Sequence, residues 1–295
     1  MAAQPKKAAV VRLFARGGAA EEEEELSVRS APRAAAKQDA ASPEVAGLDG
    51  KVPAWFLIGP NGSGKTTFAR WAGERAEADG RSTGMFALDP GKRALADFFE
   101  GVNQPPTKNP ATTEGFLRDG LRWLAEDAAP TLWDMGGGNL ALDRLLETTP
   151  DTVKVLGESG VALIPAFFLG PRVADLGLLA DLRDRGMKER VVIILNHALL
   201  DVTQDADEAF AAIRRHSEFR AALEDGATVL HMPRLDPPDL PLEIERKRLS
   251  FRNARDGVVP EGRRVQAIGG LDRAAVRAWM DRMTEAFAPV RPWLP

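Results

Sequence analysis

The chain has 295 residues and a formal net charge of -4, with 44% apolar and 28% charged residues, the balance of a globular protein with room for one large α/β domain or two small ones. It has no cysteine and three scattered histidines, which excludes disulfides, iron–sulfur clusters and thiolate zinc sites and argues against a histidine metal site. The net charge gives no sign of a wholesale nucleic-acid binder, and the longest apolar runs, such as VALIPAFFLG, fall far short of the ~20 residues a membrane-spanning helix needs.

Residues 1–50 are alanine-rich, carry EEEEE at 21–25 and include Pro32 and Pro43. No apolar period runs through them, so the segment is expected to be a disordered tail. Within it, KKAAVVRLFAR (6–16) has the composition of a short basic amphipathic helix that folds on a protein partner. Arg12 and Arg16 interrupt the apolar patch after Lys6 and Lys7. No secretory signal is therefore expected, and a cytoplasmic location is the default.

From residue 51 to 295 the pattern alternates between short apolar strands and helical stretches. WFLI (55–58) predicts a first strand, with a helix beginning at Lys65; GMFALD (84–89) predicts a second strand. The Pro/Asn-rich NQPPTKNPATT (103–113) reads as a loop before a helix, FLRDGLRWLAED (116–127), with Phe116, Leu117, Leu121 and Leu124 on one face. Four further strands are predicted at TLWDM (131–135), VALIPAFF (161–168), RVVIILN (190–196) and ATVLHMP (227–233). LDRAAVRAWMDRMTEAF (271–287) predicts a closing amphipathic helix with Ala275, Trp279, Met283 and Phe287 inward. Near-continuous apolar strands separated by helices predict an α/β fold whose mostly parallel sheet is flanked by helices.

The most specific stretch is LIGPNGSGKTT (57–67). Gly59-Pro60-Asn61-Gly62-Ser63-Gly64-Lys65-Thr66 satisfies G-x-x-x-x-G-K-[ST], between a predicted strand and a predicted helix. Glycines let backbone N–H groups turn inward as an anion nest, and the helix adds its positive N-terminus. Lys65 is expected to reach the β- and γ-phosphates of ATP, with Thr67 beside it and the Thr66 hydroxyl on Mg²⁺.

Three strand ends complete the expected site. Asp89, in FALDPGKR, lies where ligand sites form in parallel sheets and is suited to orienting an attacking water or holding Mg²⁺ through water; its structural alternative is a cap on the turn before Pro90. Asp134, in TLWDMGGG, occupies the position of a Walker B acid and is expected near Mg²⁺. Gly136, Gly137 and Gly138 allow a switch loop there. Asn196, ending VVIILN, has an amide that can donate to and accept from a purine edge, with the turn from Met232 to Leu235 flanking the base. His197 reads as a loop histidine and His216 as a surface one.

In this order the elements resemble the ParA/MinD branch of the P-loop ATPases, the SIMIBI class. The likeness rests on the phosphate loop after strand one, Asp89-Pro90 after strand two, Asp134 with its glycines, and Asn196. It covers residues 52 to about 256. VVIILNHALLDVTQDADEAF, ATVLHMPRL and IERKRLSFRNA are similar in order and spacing to the TraL-like plasmid mobilisation and partition group. The resemblance implies a Mg²⁺-dependent ATPase that switches conformation between ATP and ADP states in DNA mobilisation, partition or positioning. The family's phosphate loop reads K-G-G-x-G-K-T, and its extra lysine crosses a homodimer interface; Pro60 and Asn61 stand where that lysine and the following glycine belong. The implied ATP-locked homodimer is thereby in doubt. Arg93 or an arginine of the 246–255 cluster offers a replacement charge.

Two rival readings remain open on the residues. A zeta-toxin-like P-loop kinase would use Asp89 as its acid and Arg93 on a lid to phosphorylate a small molecule; an ABC-type ATPase would need an LSGGQ-like signature, which the chain lacks. A binding module with negligible turnover would hold partners through the tail and ERKRLSFRNAR (245–255). The five basic residues of that segment suit DNA or protein contact as well as a solvated helix face.

Overall fold

The computed structural model describes residues 45–89, 95–137 and 140–295. The expectations for the tail up to residue 44, including the helix at 6–16, and those for Pro90, Arg93 and Gly138 lie outside the described residues. Six strands form one all-parallel sheet: β1 (Val52–Ile58), β2 (Gly84–Ala87), β3 (Thr131–Asp134), β4 (Val161–Leu169), β5 (Val192–Asn196) and β6 (Thr228–Met232). Their order is β2-β3-β1-β4-β5-β6. β1 pairs with β3 on one side and β4 on the other, and Leu57 is level with Asp134 and Ala166. The centre of the sheet thus brings the end of β1 against the end of β3.

Helices cover both faces, as continuous apolar strands require. Alternation along β1 sends Trp55 and Leu57 to one face and Ala54, Phe56 and Ile58 to the other. On the first face pack α1 (Lys65–Ala78), α9 (Leu240–Arg246), α10 (Phe251–Asp256), α11 (Gly270–Ala286) and the segment 95–99. Phe68 of α1 lies at the centre of an aromatic cluster with Trp55, Trp71, Phe168 and Phe287. The second face is covered by α2 (Pro110–Asp127), α3 (Leu140–Thr148), α4 (Thr152–Glu158), α5 (Gly177–Asp184), α6 (Ala206–Ala209), α7 (Ala211–Arg215) and α8 (Ser217–Glu224). There Trp133 stacks on Phe86 with centroids 3.8 Å apart.

Several boundaries differ from the sequence reading. Residues 45–50 are not tail: Leu48 is buried in the first core, Val45 N–H donates to the Pro289 carbonyl, and Trp293 Nε1 donates to that of Ala46. Helix α2 starts at Pro110, inside the expected loop, because Asn109 caps it by accepting from Ala111 N–H and Pro110 fits the first helical turn. β2 ends at Ala87, so Asp89 lies two residues beyond the strand rather than on it. β5 begins at Val192, since Arg190 has a left-handed φ of 52°. In α11 Val276, not Ala275, joins Trp279 and Met283 in the core. Among the described residues no helix is long and apolar enough to cross a membrane.

Candidate functional site

The glycine loop folds between β1 and α1. Gly62 and Gly64 have φ of 77° and 99°, in the left-handed region that only glycine enters freely. Gly64 is also crowded: a Cβ there would lie 2.4 Å from Asn196 Nδ2. Gly64 is the N-cap, and Lys65, Thr66 and Thr67 form the first turn of the 14-residue α1. That turn presents the positive end of the helix to the loop.

Lys65 is 95% buried by its surroundings, with 5% of its surface exposed. Its Nζ donates to the carbonyls of Gly59 at 2.8 Å and Pro60 at 2.9 Å, which holds the ammonium over the loop. Thr66 Oγ1 donates to Asp134 Oδ2 at 2.7 Å across 68 positions of sequence. Gly136 N–H approaches the other carboxylate oxygen at 3.4 Å. Gly136 has φ of 73°, and a Cβ on it would stand 3.7 Å from Asp89 Cβ. The turn after β3 and the segment after β2 are therefore neighbours, and Asp89 and Asp134 face one space. Asn61 reaches the same turn, since a Cβ on Gly137 would lie 2.3 Å from its Oδ1.

These groups line one cavity of about 310 Å³. Its walls include Asn61 to Thr67, Asp89, Asp134 and Gly136, and also Arg70, Leu95, Phe98 and Glu245. Sequence reading missed these last four. Arg70 was legible only as the residue one helical turn beyond Thr66; nothing local places 95–98 and 245 opposite it.

Arg70 is 6% exposed. Its guanidinium carbon lies 3.4 Å from the ring centroid of Phe98 and 4.3 Å from that of Phe251. Nη2 donates to the Leu249 carbonyl at 2.9 Å. Burial lowers its pKa to about 10, against the opposing effect of Glu74 and Glu245, so it is a cation at neutral pH. One turn further along α1, the buried Glu74 accepts from the N–H groups of Phe251 and Arg252, at 2.9 and 3.0 Å. It caps α10 with Ser250, which accepts from Asn253 N–H. Burial raises the Glu74 pKa; the two N–H groups oppose that rise.

Asn196 occupies a different place from the one its sequence position suggested. It is 1% exposed; Nδ2 donates to the Ser63 carbonyl at 2.7 Å and Oδ1 accepts from Ala198 N–H at 2.9 Å. Its amide supports the loop from below and is not in the cavity wall. The expectation of a purine-reading amide is thus replaced by a structural tie, because β5 ends beneath the loop and the 3₁₀ turn after it needs a cap. The turn after β6 is likewise packed: Met232 and Leu235 are buried, and Arg234 donates to Asp236 and the Leu200 carbonyl. His197 is not an isolated loop residue; its Nε2 is 2.8 Å from His231 Nδ1. Burial, then the charges of its neighbours, lowers its pKa to about 4. His216 caps α8, accepting from Glu218 N–H.

The basic segment 245–255 is the end of α9, a turn and α10, with Leu249, Phe251 and Ala254 in the core. Lys247 pairs with Glu243 and Arg255 with Asp256, while Arg246 and Arg252 are exposed. No protein-family model matches the chain, and no curated protein matches its sequence.

Proposed function

We propose that this protein binds ATP with Mg²⁺ on the loop from Gly59 to Thr67 and hydrolyses it as a conformational switch of the ParA/MinD, SIMIBI-type P-loop class. The observation that carries the reading is the 2.7 Å contact of Thr66 with Asp134 beside a Lys65 folded over its own glycine loop. A hydroxyl in the first turn of a helix and a carboxylate at the end of the adjoining parallel strand make a hard-oxygen pair. Mg²⁺ takes few protein ligands of this kind and fills its shell with waters and phosphate oxygens. The glycine conformations admit phosphate close to the backbone, and α1 supplies the electrostatic field for it. When bound, the metal neutralises charge on the phosphates.

In this mechanism Lys65, which now donates to the Gly59 and Pro60 carbonyls, would donate to phosphate oxygens instead. Asp134 and Thr66 would hold the metal. Asp89, across the cavity, accepts a proton from, or orients, the attacking water. Asn61 against Gly137 and Gly136 beside Asp89 link the loop to the turn after β3, so a change at the γ-phosphate is conveyed to that turn. The exposed arginines of 246–255 and the N-terminal tail are the surfaces proposed for a DNA or protein partner, in a cytoplasmic role in DNA mobilisation, partition or positioning.

A second reading, a small-molecule kinase, is favoured by one feature: the cavity continues past the loop to Phe98, Leu95 and Glu245, which offers walls for an acceptor. Product analysis separates the two. Incubation with Mg²⁺-ATP should yield ADP and free phosphate in stoichiometric amounts without any added acceptor. Failure to bind ATP in calorimetry refutes both readings.

A further inference from the structure

We propose that Arg70 is a resident oxyanion-binding cation whose ligand is the terminal phosphate of the nucleoside triphosphate. The inference rests on the nucleotide reading above. It assigns to this chain's own α1 the positive charge that the resemblance would have drawn from a partner through the position of Pro60.

Four observations carry it. First, Arg70 lines the same cavity as Lys65, Thr66, Asp89 and Asp134. Helical side chains lean toward the N-terminus of their helix, so a residue four positions after Thr66 projects back toward the phosphate loop rather than away from it. Second, the guanidinium is held in place before any ligand arrives. Phe98 and Phe251 fix its plane, and the Leu249 carbonyl fixes one Nη. A preorganised cation loses little freedom on binding. Third, its donor capacity is underused. A guanidinium has five N–H donors; the bond to Leu249 engages one nitrogen, and Nε is buried with no hydrogen-bond partner among the described residues.

Fourth, among the described residues no carboxylate forms an ion pair with it. Glu74, the nearest buried acid, is committed to the N–H groups of Phe251 and Arg252, and Glu245 acts on it only through space from an exposed position. A nearly buried charge without a bonded counterion is costly, and an anion entering the cavity relieves that cost. Burial leaves the group charged at neutral pH, with a pKa of about 10. A merely structural arginine, anchoring the turn at 249–251, would gain nothing from lining the phosphate cavity.

The test compares ATP and ADP, with Mg²⁺, by calorimetry on the full chain. Arg70→Gln should weaken binding of a slowly hydrolysed ATP analogue about tenfold or more, the worth of a charge-assisted hydrogen bond, and leave ADP affinity unchanged. Arg70→Lys should recover part of the difference. Ser250→Ala, which removes a cap of α10 without changing any charge near the guanidinium, should lower the Tm without changing the ATP-to-ADP affinity ratio. Equal loss for both nucleotides in Arg70→Gln, or no loss for either, overturns the assignment while leaving the nucleotide reading intact. A wild-type chain that binds neither nucleotide overturns both.

Discussion

Asn196 donates to the Ser63 carbonyl at 2.7 Å, tying the end of the fifth strand to the floor of the glycine loop. The same amide stands so close to Gly64 that any side chain there would overlap it. Asn196→Ala leaves the Ser63 carbonyl and the Ala198 N–H without their partner. With each of the two lost bonds costing about 1–3 kcal/mol, a destabilisation of about 2–6 kcal/mol is expected. Urea unfolding with and without ATP measures it. Nucleotide binding should weaken as a secondary effect of a looser loop. Unchanged stability would mean that Asn196 is a recognition group after all.

Lys65→Ala removes the ammonium held over the loop by Gly59 and Pro60. ATP affinity should fall tenfold or more, from a loss on the order of 1.5–3 kcal/mol. Calorimetry reads this directly. Equal affinity in the variant would sink the assignment of residues 59–67.

Asp134 and Asp89 share the cavity but differ in their contacts. Asp134 is bonded to Thr66, so Asp134→Ala should weaken binding chiefly when Mg²⁺ is present. Asp89→Ala should retain ATP and lose turnover, because orienting water matters mainly in the transition state. Binding titrations with and without Mg²⁺, together with phosphate release, distinguish the two. Full hydrolysis by Asp89→Ala would reduce that residue to a cap of its turn.

Pro60 carries no charge and cannot reach across an interface. ATP-dependent dimerisation should accordingly be weak or absent, with a monomer in sedimentation with a slowly hydrolysed analogue. A stable ATP-dependent dimer would require another cation at the interface. Substituting Arg246, Arg248 or Arg252, exposed arginines of the basic segment, should then dissolve it.

His197 gives the fold a pH dependence with a fixed sign. The groups facing it are His231, Arg234, Arg214 and Asp207, and burial is the largest cause of its low pKa, about 4 against an ordinary 6.5. The unfolded chain therefore takes up the proton first. The stability contributed by neutral His197 is complete above pH 6.5 and is lost as pH falls toward about 4. His197→Gln should flatten the urea midpoint over this interval. An unaltered pH profile would show that another group governs acid sensitivity.

What the sequence determined by itself is what contiguous residues encode. The glycine loop, its lysine and its threonine lie within eight positions, and their backbone demands are local; the apolar runs were legible as parallel strands because both faces of such a sheet are buried. Even there, the start of α2 at Pro110 was hidden in a stretch rich in loop residues, although its cap Asn109 was present to be read. The tertiary structure alone decided the rest. Only the order β2-β3-β1-β4-β5-β6 sets Asp134 beside Thr66 and puts the end of β5 under the loop, which turned Asn196 from an expected base-reading group into a support. Arg70 had no distinguishing local pattern; its partners Phe98, Leu249 and Phe251 are up to about 180 positions away in sequence. Propensity and periodicity act over a few residues, whereas burial of a charge and convergence on a cavity depend on which distant surfaces the packed core brings together.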